Sequence, residues 1–304
     1  MGIYGKSRRR RGIKKYYFQS IHPVGSFLYY IGAALYLTIF FHPLYLFFSI
    51  LIIIVINLVH GNRKKLLRTL PFLLLMGLVI FIMNPFLNRR GSHLLFYFYS
   101  YPIMLEGVLY GFMLALSLMG MIMLFFSYQI IIDHKRFLFL FGKLFPQTSL
   151  LVLLSLRFIP ILRRRLSEIM IVQKRRGIVL GGQKLKGKIQ NGLLYIQVLL
   201  TWSLEEAIQT ADSMAARGYG LKKRSSYDHF QWKKRDTIYV VTLVILLLIP
   251  LVGMLFLSYG KLIIYPELSN VEMGPQQYIH LLFFCCYLLL PLLVEGREWI
   301  RWKS

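Results

Sequence analysis

The sequence predicts an all-α polytopic membrane protein. About six transmembrane helices are expected, with long amphipathic cytoplasmic helices inserted before the last spans. Three observations carry this. The 304 residues are 57% hydrophobic and only 16% charged, with mean hydropathy +0.57. A soluble domain of this length could not cover so much apolar surface, so a bilayer is the natural solvent. Six apolar runs, at 25–41, 44–59, 69–86, 102–132, 238–259 and 278–294, are each about as long as the roughly 17–25 residues a hydrocarbon core requires, the fourth being longer. Finally, all Lys and Arg except Arg89, Arg90 and Lys261 fall in 1–15, 60–68, 133–236 and after 294. This alternation follows the positive-inside rule for six spans with both termini cytoplasmic.

Residues 1–20 are expected to form a basic cytoplasmic arm, with Arg8 to Arg11, Lys14 and Lys15. No small-residue cleavage site follows the first apolar run, so no cleavable signal is expected. Residues 21–132 form an N-terminal transmembrane bundle of about four spans. At Asp133 the apolar runs stop, and they resume near Thr237. The intervening 133–236 keeps helical periodicity and is expected to form a cytoplasmic helix region. From 149 to 176 apolar residues recur at three- and four-residue steps, interleaved with Arg157, Arg163, Arg164, Arg165, Glu168 and Gln173. Gly177, Gly181 and Gly182 end that helix. A second helix begins near Ile189 and runs through Tyr195, Trp202, Glu206 and Gln209 to Ala216, ending at Gly218 and Gly220. Residues 237–304 return to the membrane and finish in a short cytoplasmic tail.

The net charge of +25 would suit nucleic acid, but its placement marks the cytoplasmic face, and secondarily anionic lipid or an acidic partner. No nucleic-acid partner is expected. The two cysteines, Cys285 and Cys286, are helix neighbours pointing in different directions, so no disulfide framework is expected. Seven histidines are scattered without metal-ligand spacing, so no metal site is expected. Gly182 to Lys188 has the Gly-x4-Gly-Lys spacing of a phosphate loop. However, Ile189 replaces the required Ser or Thr and no strand precedes it, so it reads as a basic turn that does not bind ATP.

The informative pair is at the two helix ends. The first reads Gln173-Lys174-Arg175-Arg176-Gly177, the second Ala215-Ala216-Arg217-Gly218-Tyr219-Gly220. Each places an arginine in the last turn beside a glycine able to adopt the left-handed cap. Singly, each is an ordinary helix end, since Arg complements the dipole there. Together, in one insertion between spans, they resemble the two Ala-Arg-Gly-type motifs of the T components of energy-coupling factor (ECF) transporters. Further stretches carry the same resemblance in order. These are Asn84-Pro85-Phe86 with Gly91; Glu106-Gly107-Val108-Leu109-Tyr110-Gly111; Leu156-Arg157-Phe158-Ile159-Pro160; and Tyr219-Gly220. The similarity covers about 20–236. Arg175 departs from it, standing where the family usually has alanine; so does Ser117, where many members carry arginine.

The resemblance implies a non-enzymatic scaffold in a prokaryotic cell membrane, with no cofactor of its own. Its partners would be two ABC-type ATPase subunits, which use ATP and Mg, and a substrate-binding membrane subunit (the S component) that selects a vitamin or metal ion. It assigns ATPase coupling to Arg175, Arg176, Gly177, Ala216, Arg217 and Gly218, with support from Arg157 and Pro160. Pro160 is expected to kink its helix. Arg157 is expected to pair with an acid such as Glu206 or to face lipid phosphate. Gly107 and Gly111 form a GxxxG for close helix packing, within the chain or against the S component. Glu106, just inside the extracellular end of its span, is expected to reach headgroups or water.

Two other classes compete. A membrane-embedded enzyme acting on phosphate-containing lipid or nucleotide-linked substrates would need positioned acids. Region 133–236 holds only Asp133, Glu168, Glu205, Glu206, Asp212, Asp228 and Asp236, with no Asp-x-x-Asp or His-centred cluster. A secondary transporter would show two related halves and polar groups at mid-membrane, and neither is visible.

Overall fold

A computed structural model describes residues 18, 21–88, 91–98, 101–142, 144–177, 185–221, 230–262, 264 and 274–303. Nearly all of the basic arm, Gly181 and the Gly182–Lys184 part of the phosphate-loop-like run lie outside them. In chain order the elements are α1 (Pro23–Ile39), α2 (Pro43–Val59), α3 (Arg63–Leu87), β1 (Leu94–Phe98), β2 (Tyr101–Met104), α4 (Leu105–Ile131), α5 (His134–Gly142), α6 (Pro146–Arg175), α7 (Leu185–Ala216), α8 (Lys234–Leu257) and α9 (Pro275–Lys303). Among the described residues the fold is all-α apart from one antiparallel hairpin, β1–β2.

Among the described residues four helices are long and apolar enough to cross a bilayer: α3, α4, α8 and Pro275–Gly296 of α9. Helices α1 and α2 are equally apolar in character but have 17 residues each. Both start on proline at the first helical position, where its missing N–H costs nothing, and in both the preceding histidine ring accepts from the second helical amide. Two expectations change here. The fourth run does not begin as a helix at Pro102, because 101–104 pair as a strand with β1 and α4 starts at Leu105. Aromatic side chains favour the pleated conformation, and Tyr101 and the aromatic run 96–98 supply them to the two strands. The last helix continues well past 294, to Lys303.

The chain divides into two compact units, 1–137 with 230–304, and 138–229. In the first, α1, α2, α4, α8 and α9 share a core rich in tyrosine and phenylalanine: Tyr29, Tyr36, Phe40, Tyr45, Phe284 and Tyr287 are all fully buried. Three of the tyrosine hydroxyls are satisfied on backbone, while that of Tyr45 meets the His280 ring at 2.8 Å. Tyr29 donates to the Leu288 carbonyl at 2.9 Å, Tyr287 to Tyr29 at 3.0 Å, and Tyr36 to Leu246 at 2.7 Å. Lipid is as apolar as these side chains, so helix association rests on packing and such interhelical hydrogen bonds. The outward faces carry exposed Phe47, Phe72 and Leu75, as lipid contact requires.

Helices α3 and α4 meet closely because α4 lacks side chains where they touch. A Cβ on Gly111 would lie 2.8 Å from Asn84 Cβ and 3.2 Å from the Phe81 carbonyl, and one on Gly107 3.2 Å from the Asn88 carbonyl. The GxxxG therefore packs within the chain. Above it, Glu106 is fully buried rather than reaching water or headgroups. Its Oε1 lies 3.0 Å from the amides of both Ser92 and His93, 3.1 Å from Ser92 Oγ and 2.9 Å from His93 Nδ1. The reason is geometric. An acid in the first turn of a helix faces the chain entering it, and here that chain turns back with its N–H groups inward. Gly91, at φ +151°, brings the backbone so near that a Cβ would be 2.5 Å from Glu106 Oε2. Asn84-Pro85, Gly91, Glu106, Gly107 and Gly111, distant in sequence, thus form one knot at the α3–hairpin–α4 junction. Replacing Glu106 by alanine is expected to leave the two loop amides without their acceptor. Hydrogen exchange at Ser92 and His93 should accelerate about five- to thirtyfold, for a local loss of about 1–2 kcal/mol.

Candidate functional site

The second unit is dominated by α6 and α7, of 30 and 32 residues. They pack against each other, and named contacts give their direction. Arg165 stacks over the Trp202 ring at 4.6 Å, while Leu154 and Arg157 share a groove with Glu206, Gln209, Thr210, Ser213, Met214 and Arg217. As α6 numbering rises the facing α7 numbering falls, so the pair is antiparallel. Arg176 and Arg217 therefore end the pair at opposite ends. The 22 residue steps from Leu154, beside Arg217, to Arg176 correspond to roughly 33 Å of helix.

Each arginine occupies the same position in its cap. Helix α6 ends at Arg175, so Arg176 is the C-cap and Gly177 follows at φ +83°, its amide on the Lys174 carbonyl at 3.1 Å. Helix α7 ends at Ala216, so Arg217 is the C-cap and Gly218 follows at φ +81°, its amide on Ala215 at 2.9 Å. The Tyr219 amide reaches back to Met214 at 3.0 Å, completing a Schellman pair. The caps need glycine for its backbone angle, not for lack of room: a Cβ on Gly177 would meet nothing within 4 Å, and one on Gly218 only the tip of Leu221. Both arginines are exposed, and the backbone beside each is open to approach. Gly218→Ala is expected to cost about 1–2 kcal/mol at the cap, since L-residues resist this conformation. Faster hydrogen exchange in the last turn of α7, with the rest of α7 unchanged, would report it.

The groove beside Arg217 has a volume of about 480 Å³. Arg157 and Glu206 both line it, but no ion pair joins them among the described residues, so both charges stay available. Glu206, Thr210, Ser213 and Arg217 recur at steps of four, three and four, a stripe readable in the sequence. That Arg157 faces the stripe depends on the antiparallel pairing and could not be read there. Pro160 lies inside α6, which continues through it to Arg175. Glu168 accepts from Arg165 at 2.9 Å and from Arg164 at 3.2 Å, and these bonds hold its pKa below the usual carboxylate value. Their small contribution is present above that usual value and fades as pH falls through the lowered one. Gly187 and Lys188 already belong to the first turn of α7, so they are not part of a turn as expected. Among the described residues no group of three His, Cys, Asp or Glu could hold a metal ion.

A multi-pass α-helical membrane protein with an antiparallel pair of long, basic, arginine-capped helices inserted between its spans is the class this architecture defines. The family model for the cobalt transport protein CbiQ matches residues 19–227, and the chain belongs to that family. It is similar to the energy-coupling factor transporter transmembrane protein EcfT of Staphylococcus aureus, 27% identical over 64% of this chain and 76% of that protein. The EcfT of Lactococcus lactis is 28% identical over 57% of this chain and 69% of its own length. The EcfT of Streptococcus equi reaches 35%, over 33% of this chain and 38% of itself. The family match takes in both arginine caps and ends before α8.

Proposed function

We propose that this chain is the non-catalytic coupling scaffold of an ECF-type importer in a prokaryotic cell membrane. Two ABC-type ATPase subunits bind and hydrolyse ATP with Mg. One docks at Arg175-Arg176-Gly177, the other at Ala216-Arg217-Gly218. Their movement shifts α6 and α7, and a neighbouring S component passes a vitamin or metal ion inward.

The observation that carries this reading is the equivalence of the two caps. Both present an exposed arginine on a left-handed glycine turn, at opposite ends of one antiparallel pair, in a chain of the CbiQ family. A helix end free of side-chain bulk can enter a partner's groove, and a guanidinium there can take a carboxylate in two parallel hydrogen bonds. Arg157, on the groove beside the second cap, supplies a further positive charge to that site. Arg175 leaves the first cap bulkier than the second, so the first site is expected to be the weaker one.

The test is gentle affinity purification of the tagged chain from its native host. Recovery of P-loop ATPases and a small hydrophobic membrane protein supports the role, and ligand retained by the small protein names the cargo. A chain that emerges alone, or with partners unrelated to ATP hydrolysis, overturns it.

A further inference from the structure

The hairpin β1–β2 has no place in the coupling role. Between 94 and 104 the sequence contains no charged residue. Strand β2 packs on α3 and α4, with Ile103 buried. Strand β1 lies outside it, leaving Leu94, Leu95, Phe96 and Tyr97 exposed, the last two by 54% and 67%. The register shifts between Leu94 and Phe96, so Leu95 is the extra residue of a bulge. A two-stranded hairpin with bare apolar side chains is at best marginally stable in water, so a third medium must cover it.

Position in the fold identifies that medium. Helix α3 begins with Arg63, Lys64, Lys65 and Arg68. The 19 residues from 69 to 87 then extend about 28 Å, close to the roughly 30 Å of a hydrocarbon core. The end of α3 at Leu87 and the start of α4 at Leu105 therefore emerge at the opposite boundary from that basic end, and the hairpin joins them there. Tyrosine, an apolar ring with a polar hydroxyl, favours this headgroup level, and Tyr97 is exposed there. Among the described residues the outer edge of β1 is unpaired, and open strand edges are not tolerated deeper in hydrocarbon. The knot at the hairpin's base, where buried Glu106 holds Ser92 and His93, fixes its height.

The geometry points to β1 as a membrane-interface anchor: Leu95, Phe96 and Tyr97 lie among the lipid headgroups and upper acyl chains of the leaflet opposite the basic end of α3. This rests on the spans alone and is independent of how the arginine caps act. A single nitroxide placed at Tyr97, and separately at Leu95, in the Cys285→Ser/Cys286→Ser background tests it. The full chain is reconstituted in phosphatidylcholine–phosphatidylglycerol nanodiscs, alone and with copurified partners. Collision rates with oxygen, which concentrates in lipid, are compared with those of a water-soluble nickel chelate. Labels at Leu75, exposed midway along α3, and Asp212, exposed on α7, give the lipid and water references. The oxygen-to-nickel ratio is expected to lie between these references in both preparations. A ratio matching Asp212 or Leu75 would overturn the interfacial placement. Loss of both collisions would overturn it in favour of a protein contact, by a second copy in the isolated chain or by a partner in the complex.

Discussion

Substituting Arg176 and Arg217 together by alanine is expected to abolish ATP-driven uptake while the chain stays folded and inserted. The caps are made by backbone: Arg176 donates its amide to Val172 and Gln173, Arg217 its amide to Ser213. Alanine preserves those bonds. The two arginines are exposed, and among the described residues no hydrogen bond or ion pair uses their guanidinium groups. In the proposed complex they would be desolvated anchors, and truncating such an anchor commonly costs about 2–5 kcal/mol. That is about 30- to 4000-fold in affinity for each ATPase contact. Each single variant should weaken transport strongly, Arg217→Ala more than Arg176→Ala, because the Arg217 cap is the slimmer and has the groove beside it. Uptake in cells, with thermal stability of the purified chain as control, checks both halves. Full uptake in the double variant would remove the caps from the mechanism.

Gly111→Leu is expected to destabilise the membrane unit itself. A Cβ there would already stand 2.8 Å from Asn84 Cβ and 3.2 Å from the Phe81 carbonyl, and leucine adds three further carbons at that contact. Overpacking of this kind typically costs about 1–3 kcal/mol. It would also prise α3 from α4 beneath the knot that holds the hairpin. Lower melting in detergent, together with faster exchange at Ser92 and His93, is the expected pattern. Unchanged melting would mean that the α3–α4 contact is looser than the geometry requires.

Hydropathy and charge made the membrane helices and the inserted basic region legible, because lipid imposes run length and the positive-inside rule imposes sign. Both arginine caps were equally legible, since Arg-Gly at the end of a periodic run is a local signal. The hairpin was not. Its alternation is hidden in an unbroken apolar run at 94–98 and 101–104, where both faces find an apolar surround and the period of two leaves no polar mark. The role of Glu106 was hidden for a different reason. Its partners Ser92 and His93 are 14 and 13 residues away, and only the chain reversal at the hairpin brings them back. The groove lay between these cases. The stripe on α7 is visible at helical spacing, but the arginine opposite it follows from how α6 and α7 pair.

Under the proposed role each arginine cap touches an ATPase. Photo-crosslinking tests this most directly, with a benzophenone amino acid placed at Lys174 and, in a second variant, at Tyr219, which is exposed beside Gly218. Expressed in the native host, both positions are expected to yield adducts containing a P-loop ATPase, lost when the neighbouring arginine is replaced by alanine. Adducts only with lipid or the small membrane subunit, or ATPase adducts indifferent to Arg176 and Arg217, would contradict it.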